Sequence, residues 1–192
     1  MSVKHILILK GSPREKGNSS SLADQVAAGA AACGAQVESY VLQSMNIQPC
    51  NACDACHETE DRQCVIEDDM QILYPKLRNA DAIVIASHIY WFTMSAQTKL
   101  CIDRWYALEG PRGNALAGKQ IGIVLTYGDS NQFTSGAINA MRAFEDMFRY
   151  IKADIVGMVY GTAMNTGDAQ KQPDLMERAY KLGQKLAGAH LP

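Results

Sequence analysis

Short runs of apolar residues, many of them β-branched, recur along the chain and alternate with segments whose apolar positions follow a helical period. The runs that we predict as β-strands are His5 to Lys10, Gln36 to Val41, Ala82 to Ser87, Gln120 to Thr126 and Asp154 to Tyr160. Two of them, at Ile83 to Ala86 and Ile121 to Leu125, are continuous rather than alternating. This pattern is expected when helices cover both faces of a parallel sheet.

The segments between these runs predict helices with one apolar face each. The three faces consist of Leu22, Val26, Ala30 and Cys33; of Ile138, Met141, Phe144, Phe148 and Ile151; and of Leu175, Ala179, Leu182, Leu186 and Ala189. Such faces seal against a sheet. Five strands alternating with helices through right-handed crossovers predict an α/β fold, a doubly wound three-layer sandwich. In such sheets ligands bind beyond the carboxyl ends of the strands, so we expect the functional site at that edge.

Length and charge narrow the class of protein. A chain of 192 residues is long enough for one substantial core, so we expect a single domain over residues 1–192. Charged residues make up 20% of the chain, the net charge is -2, and Lys and Arg are scattered, which disfavours a nucleic-acid partner. Neither a secretory leader nor an apolar run of about 20 residues is evident, so we expect a cytoplasmic protein without a membrane anchor.

The first predicted strand runs into a turn rich in glycine and hydroxyl groups, and a helix follows at once. The turn reads Gly11-Ser12-Pro13-Arg14-Glu15-Lys16-Gly17-Asn18-Ser19-Ser20-Ser21. A helix N-terminus of this kind offers backbone N–H groups, hydroxyls and the helix dipole to a phosphate, and Arg14 adds a charge-assisted contact. The turn matches neither the dinucleotide nor the Walker pattern. The alternative is a capped helix after a flexible turn, although capping needs only one of these Ser and Asn residues.

Six cysteines without an export signal argue against a disulfide framework. Cys33 and Cys101 stand alone in apolar segments and are expected in the core. The other four, Cys50, Cys53, Cys56 and Cys64, lie within fifteen positions. They fall in a long irregular insert, Asn46 to Glu67, whose length indicates a functional or disordered segment.

The spacing of these four cysteines is typical of four-iron ligation. Three thiolates at three-residue intervals wrap one face of a compact cluster, and a fourth returns from the other side. Structural zinc more often pairs two short hairpins that are a dozen or more residues apart. Zinc, and free or oxidised thiols, remain the alternatives.

A further segment with a recognisable pattern runs from Ser87 to Lys99 and is followed by Ile102-Asp103-Arg104. Together with the turn at Gly11 to Arg14 and Gly17 to Ser19, this segment resembles the NADPH-dependent FMN reductase family. The resemblance covers nearly the whole chain. It implies a flavodoxin-like five-stranded parallel sheet in the order 2-1-3-4-5, with FMN at the carboxyl edge.

The resemblance also implies which residues hold FMN. The phosphate would be held by Ser12, Arg14, Asn18, Ser19 and Ser20. The isoalloxazine ring would lie against Ile89, Tyr90, Trp91, Phe92 and Met94, and beside a third loop of Thr126, Tyr127, Gly128 and Asp129. A flat ring does require apolar and aromatic walls, although aromatic residues next to a buried strand also serve as core packing. His88 stands where proline is usual in the family, and we expect it at the surface or behind the ligand contacts.

The cysteine spacing narrows the resemblance to iron-sulfur flavoproteins, which carry a [4Fe-4S] cluster on such a motif. Cys50, Cys53, Cys56 and Cys64 would then be the ligands, in a homodimer or homotetramer with the cluster close to the flavin across a subunit contact. The expected function is electron transfer through FMN between a ferredoxin-type donor and a small-molecule acceptor. The alternatives are an NAD(P)H-dependent FMN or quinone reductase without a functional cluster, and a non-catalytic flavodoxin-like carrier. No general acid or base is predicted, because catalysis would belong to the cofactors.

Overall fold

A computed structural model describes residues 3–58 and 63–189. The strands are β1 (His5–Lys10), β2 (Gln36–Val41), β3 (Ala82–Tyr90), β4 (Thr93–Met94), β5 (Glu109–Gly110), β6 (Gly113–Asn114), β7 (Gln120–Tyr127) and β8 (Asp154–Thr162). The main sheet has the order β2-β1-β3-β7-β8, and all of these neighbours pair in parallel. The predicted flavodoxin-like order is therefore confirmed. Three strands extend further than predicted, to Tyr90, Tyr127 and Thr162, and this lengthens the carboxyl edge.

Helices cover both faces of this sheet. They are α1 (Asn18–Ala32), α2 (Ala55–Glu58), α3 (Met70–Asn79), α4 (Ala96–Asp103), α5 (Ala137–Ile151) and α6 (Pro173–Leu186), with 3-10 helices at Leu42–Ser44 and Arg104–Leu108. Side chains of β1 alternate between the two cores, with Ile8 packed towards α1 and α6 and Leu7 towards α3 and α5. None of the helices in the two described stretches combines the length and the apolar character needed to cross a bilayer.

Three positions predicted on buried helix faces are wrong: Cys33, Ile138 and Ala189, the last of which is half-buried and lies beyond the end of α6 at Leu186. Cys33 is exposed, because it is the C-cap residue of α1 and lies beyond the last turn that contacts the sheet. Ile138 is 38% exposed, because the buried stripe of α5 begins at Ala137 and continues through Ala140 and Met141, which leaves Ile138 on another face. Cys101, the other lone cysteine, is buried as predicted.

Glycines allow α1 and α6 to approach each other to backbone contact. A Cβ atom added to Gly183 would lie 2.0 Å from the carbonyl oxygen of Val26, and one added to Gly29 would lie 2.0 Å from that of Tyr180. Both distances are far below van der Waals contact, and the atoms approached belong to the backbone. This helix pair therefore requires glycine at both positions.

We expect Gly183→Ala to lower the free energy of unfolding by about 1–3 kcal/mol, the usual cost of overpacking a core. Chemical denaturation monitored by circular dichroism measures this loss. Gly110→Ala is the matched control, because among the described residues a Cβ atom there approaches only the Gly113 carbonyl oxygen, at 3.5 Å, which is ordinary van der Waals contact. Equal stability of the two variants would show that the helices separate without cost.

Candidate functional site

A cavity of about 540 Å³ opens at the carboxyl edge of the sheet. Ligand pockets commonly enclose roughly 300–1,000 Å³, so a nucleotide-sized ligand fits this size class. The lining residues come from the turn after β1 (Ser12, Pro13, Arg14, Gly17, Asn18, Ser19), the end of β3 (His88, Ile89, Tyr90), the start of α4 (Ser95, Ala96, Gln97), the end of β7 (Thr126, Tyr127, Gly128) and the loop after β8 (Ala163, Met164, Thr166). The cavity thus lies where the topology of the sheet predicts a ligand.

The turn after β1 leaves one buried hydroxyl group without a partner. The Oγ atom of Ser19, in the first turn of α1, has no hydrogen-bond partner in the described part of the chain, and the residue is 1% exposed. Its neighbour Ser20, which is equally buried, donates its hydroxyl to the Arg14 carbonyl oxygen at 3.2 Å. Ser12 also bonds the backbone of Arg14, since its Oγ accepts from the Arg14 N–H at 3.1 Å. Ser12 and Ser20 therefore hold the turn in shape, while Ser19 lines the cavity and its buried hydroxyl has no partner among the described residues.

Asn18 has a structural use that the sequence does not reveal. Its side-chain amide donates to the carbonyl oxygens of Ala163 at 3.0 Å and Asn165 at 2.9 Å, and its Oδ1 atom accepts from the Ala169 N–H at 3.1 Å. All the hydrogen-bonding groups of this amide are thereby used. Asn18 lines the cavity and ties α1 to the loop after β8, so its backbone N–H is what it offers to a ligand.

The aromatic segment forms a tight hairpin between β3 and β4. Ile89 pairs with Met94 and Tyr90 pairs with Thr93, so Trp91 and Phe92 occupy the two turn positions with φ of 47° and 67°. Left-handed backbone at two adjacent aromatic residues is unusual, because such turns favour Asn and Gly. Strain of this kind persists only where the surrounding structure supports it.

The hairpin tip is fixed on the start of α5. A Cβ atom on Gly136, whose φ is 75°, would lie 2.5 Å from the Cβ atom of Phe92, and the Asn139 amide donates to the Phe92 carbonyl oxygen at 3.1 Å. Trp91 is 85% exposed and Met94 is buried in the core. Of the five residues predicted to contact a ring, Ile89 and Tyr90 line the cavity, whereas Trp91, Phe92 and Met94 do not.

Three of the four residues of the third predicted loop line the cavity. Thr126 and Tyr127 are buried and line the cavity together with Gly128. Asp129 does not line it, because its carboxylate accepts from the Ser130 N–H and its carbonyl oxygen accepts from the Thr162 hydroxyl.

Two parts of the lining were not predicted, the start of α4 and the loop after β8. The loop after β8 could have been predicted from the topology, because β8 ends at the same edge of the sheet as β1, β3 and β7.

His88 lines the wall of the cavity, whereas the sequence predicts it at the surface or behind the ligand contacts. Its Nδ1 atom is buried and has no partner among the described residues. Burial, and then the Arg14 guanidinium, lower the pKa of His88 from its ordinary value of 6.5. The neutral imidazole is therefore favoured at neutral pH. Ser19 and His88 thus supply two unsatisfied polar atoms in one cavity, and buried polar groups normally have partners.

The cavity therefore offers two different environments. One is the start of α1, where the first N–H groups have no intrahelical partner and Arg14 also lines the cavity. The other consists of the apolar and aromatic side chains of Ile89, Tyr90, Tyr127 and Met164. A ligand that carries both a phosphate and a flat ring matches these two kinds of lining.

The four clustered thiols are close enough to influence one another. Cys50 and Cys53 are exposed, Cys64 is half-buried and Cys56 is buried. Burial raises the pKa of Cys56, and the charges of Cys64, Cys50 and Cys53 raise it further. Over residues 3–58 and 63–189, no group of three or more His, Cys, Asp or Glu side chains has the geometry to hold a metal ion. The thiols are therefore neighbours that are not arranged as a metal site in this structure.

The backbone between these cysteines has a shape suited to anions. Ala52 and Asp54, which alternate with Cys53, have φ of 55° and 56°. Left-handed residues of this kind turn successive N–H groups into concavities that bind anions, including iron-sulfur clusters. Four thiols beside such a backbone match the donor chemistry that a cluster requires.

Comparison with known proteins identifies relatives over most of the chain. The family described as "Flavodoxin-like fold" matches residues 4–186. An iron-sulfur flavoprotein of Archaeoglobus fulgidus is 30% identical over 182 residues, which cover 93% of this chain and 77% of that protein. An iron-sulfur flavoprotein of Methanosarcina thermophila is 32% identical over 122 residues, and this alignment spans 64% of the present chain but only 62% of its relative.

One further relative and one solved structure have names that refer to NAD(P)H. YwqN of Bacillus subtilis, provisionally named an NAD(P)H-dependent FMN-containing oxidoreductase, is 28% identical over 182 residues, covering 92% of this chain and 95% of YwqN. The solved structure of an NAD(P)H:quinone oxidoreductase from Methanothermobacter marburgensis superposes with a TM-score of 0.75 at 20% identity, over 99% of this chain and 100% of that chain. At this identity the superposition supports the fold alone.

Proposed function

Since this chain belongs to the flavodoxin-like family and is similar to iron-sulfur flavoproteins, we propose that it is an FMN-dependent oxidoreductase that passes electrons to a small-molecule acceptor. The observation that carries this proposal is the unpaired, buried hydroxyl of Ser19 beside the open N-terminus of α1, inside a cavity of suitable size. The alternative, in which one of the Ser or Asn side chains of the turn after β1 caps the helix, is not seen, because the N-cap residue of α1 is Gly17 and makes no side-chain cap hydrogen bond. A phosphate at this position would satisfy the Ser19 hydroxyl.

The proposed roles of the cavity residues follow from their contacts. Arg14, Ser19 and the first N–H groups of α1 would hold the phosphate, and Ser12 and Ser20 would keep the turn in the required shape. The end of β3 and the loop after β7 would position the ring and exclude water from it. Bound FMN would supply chemistry in one-electron and two-electron steps, while the protein supplies binding and orientation.

The finer proposal is that Cys50, Cys53, Cys56 and Cys64 hold a [4Fe-4S] cluster that exchanges electrons with FMN and with a ferredoxin-type donor. The shared surroundings of the four thiols, the left-handed backbone between them and the iron-sulfur flavoproteins among the relatives support it. In this proposal the active form is a homodimer or homotetramer, in which a subunit contact brings the cluster close to the flavin.

A second candidate is an NAD(P)H-dependent reductase of FMN or quinones in which the cysteine segment has no cluster. Two observations favour it: the similarity to YwqN, and the exposure of Cys50 and Cys53. The two candidates differ in their electron donor and metal content.

Anaerobic purification followed by counts of iron, sulfide, zinc and FMN per chain separates them. We expect one FMN, close to four iron atoms and four sulfides, and rapid reduction by reduced ferredoxin. Steady oxidation of NADPH by a protein without iron would favour the second candidate. Tight FMN without turnover of any small acceptor would instead indicate a non-catalytic carrier.

A further inference from the structure

Arg104 is a buried cation that lies outside the cavity. Its side chain is 1% exposed, and it forms an ion pair with Asp68, whose side chain is fully buried. Burying two charges is expensive unless their hydrogen-bonding groups are satisfied. Apolar residues of similar volume often replace such a pair without loss of stability. The contacts of this guanidinium therefore indicate what the pair is for.

The guanidinium of Arg104 contacts both ends of the cysteine segment, residues Asn46–Glu67. Its Nη1 atom donates to Asp68 and, at 2.8 Å, to the carbonyl oxygen of Gln48, two residues before Cys50. Its Nη2 atom donates to Asp68 at 3.2 Å and to the Sγ atom of Cys64 at 3.2 Å. One rigid, planar group thus fixes the start of the segment and the last of its four thiols.

Other contacts hold the two ends of the cysteine segment without Arg104. Asp68 accepts from the N–H groups of Gln48 at 2.8 Å and Met70 at 3.0 Å. The Gln71 amide donates to the carbonyl oxygens of Cys64 and Ile66, both at 2.8 Å. These backbone contacts are sufficient to hold the segment in place. The hydrogen bond from Arg104 to the Cys64 thiol is therefore not needed for that purpose.

From these contacts we infer that Arg104 is a positioning residue for the proposed cluster, which orients Cys64 and donates a hydrogen bond to its sulfur. This inference rests on the proposed [4Fe-4S] site. A hydrogen bond to a ligand sulfur withdraws electron density from it and favours the reduced cluster, so it raises the reduction potential. Arginine suits this role because it stays protonated and its planar fork serves carboxylate and sulfur together. The carboxylate of Asp68 neutralises the charge of the Arg104 guanidinium, so the expected rise in reduction potential comes from the hydrogen bond to the Cys64 sulfur.

The test compares Arg104→Gln and Arg104→Lys with wild type in the anaerobically purified full chain. We expect Arg104→Gln to lose iron to a chelator about 10- to 100-fold faster, the usual effect of removing a partner of a metal ligand. The midpoint potential of the remaining cluster, from a redox titration monitored by electron paramagnetic resonance, should fall. FMN content and the flavin potential should not change. Arg104→Lys should restore less than full iron retention, because lysine lacks the planar fork.

Two further variants protect the interpretation. Arg142→Gln removes an exposed arginine that pairs with Asp146 on α5, and it should leave iron retention and both potentials unchanged. If Arg104→Gln does not fold, the double variant Arg104→Met/Asp68→Asn removes both buried charges together, keeps a side-chain oxygen that accepts from a backbone N–H group, and permits the same measurements.

Wild-type iron retention and cluster potential in the Arg104 variants would overturn the inference while leaving the cluster proposal intact. A wild-type protein that retains no iron would overturn both.

Discussion

Replacement of Ser19 by aspartate is expected to weaken FMN binding by more than about 100-fold while the apoprotein remains folded. A hydrogen bond to a charged group contributes about 1.5–3 kcal/mol, and repulsion between the new carboxylate and the phosphate adds to its loss. Aspartate is larger than serine and charged, and Ser19 is 1% exposed, so the substitution should lower the stability of the apoprotein. The helix dipole offsets part of this loss, because aspartate is favourable in the first turn of a helix and α1 has no acidic residue there. Fluorescence titration of the apoprotein with FMN measures the affinity, and thermal unfolding measures the stability.

Neighbouring substitutions make this result specific. Ser19→Ala removes the hydroxyl without adding charge and should weaken FMN binding by about 10-fold. Ser20→Ala is the matched control, because that hydroxyl bonds the Arg14 carbonyl oxygen, and its loss should lower stability by about 1 kcal/mol. The affinity for riboflavin, which has no phosphate, should be the same in wild type and Ser19→Asp. Unchanged FMN affinity in Ser19→Asp would exclude this turn as the phosphate site.

Replacement of Cys53 by serine is expected to abolish iron retention and to leave FMN bound. A hydroxyl is a poor substitute for a thiolate on iron, and a cluster with three remaining thiols is released more easily. The cavity does not include Cys53, so the flavin site should be intact. Iron and sulfide analysis and the visible absorption spectrum of anaerobically purified protein measure both outcomes.

Cys33→Ser is the matched control for Cys53→Ser, because Cys33 is also an exposed thiol but lies at the end of α1. It should retain iron and FMN at wild-type levels. Full iron content in Cys53→Ser would contradict the proposed ligand set. Bound zinc without iron in the wild type would contradict the proposed cluster.

The sheet could be predicted from the sequence because each central strand is buried on both faces and therefore reads as an apolar run. β1 and β2 were predicted to the residue. The last residues of β3 were missed because His88 and Tyr90 do not continue the apolar run, although His88 pairs with Thr126 of β7. Strand ends at the carboxyl edge are polar because they form the cavity, so the apolar pattern fades where the site begins.

The turn between β1 and α1 could be predicted from its residue types, but the different hydrogen-bond partners of its residues could not. Asn18, Ser19 and Ser20 are similar small polar residues in one helical turn. Their difference arises from partners elsewhere, since the Asn18 side chain bonds a residue 145 positions away while the Ser19 hydroxyl has no partner among the described residues. A local sequence pattern carries no information about contacts between distant segments, so these roles could not be predicted from it.

The aromatic segment shows the same limit. Its composition suggested five contacts to a ring, but the left-handed backbone at Trp91 and Phe92 turns the chain sharply, and Met94 packs into the core. The direction of these side chains depends on a strained hairpin that aromatic residues do not usually form.

The most direct test of the central claim is a titration of the apoprotein with FMN and, separately, with riboflavin. The arrangement of Ser19, Arg14 and the N-terminus of α1 predicts one FMN per chain, bound at least about 100-fold more tightly than riboflavin, because two or more charge-assisted hydrogen bonds would depend on the phosphate. Failure to take up FMN, or equal affinity for the two flavins, would contradict it.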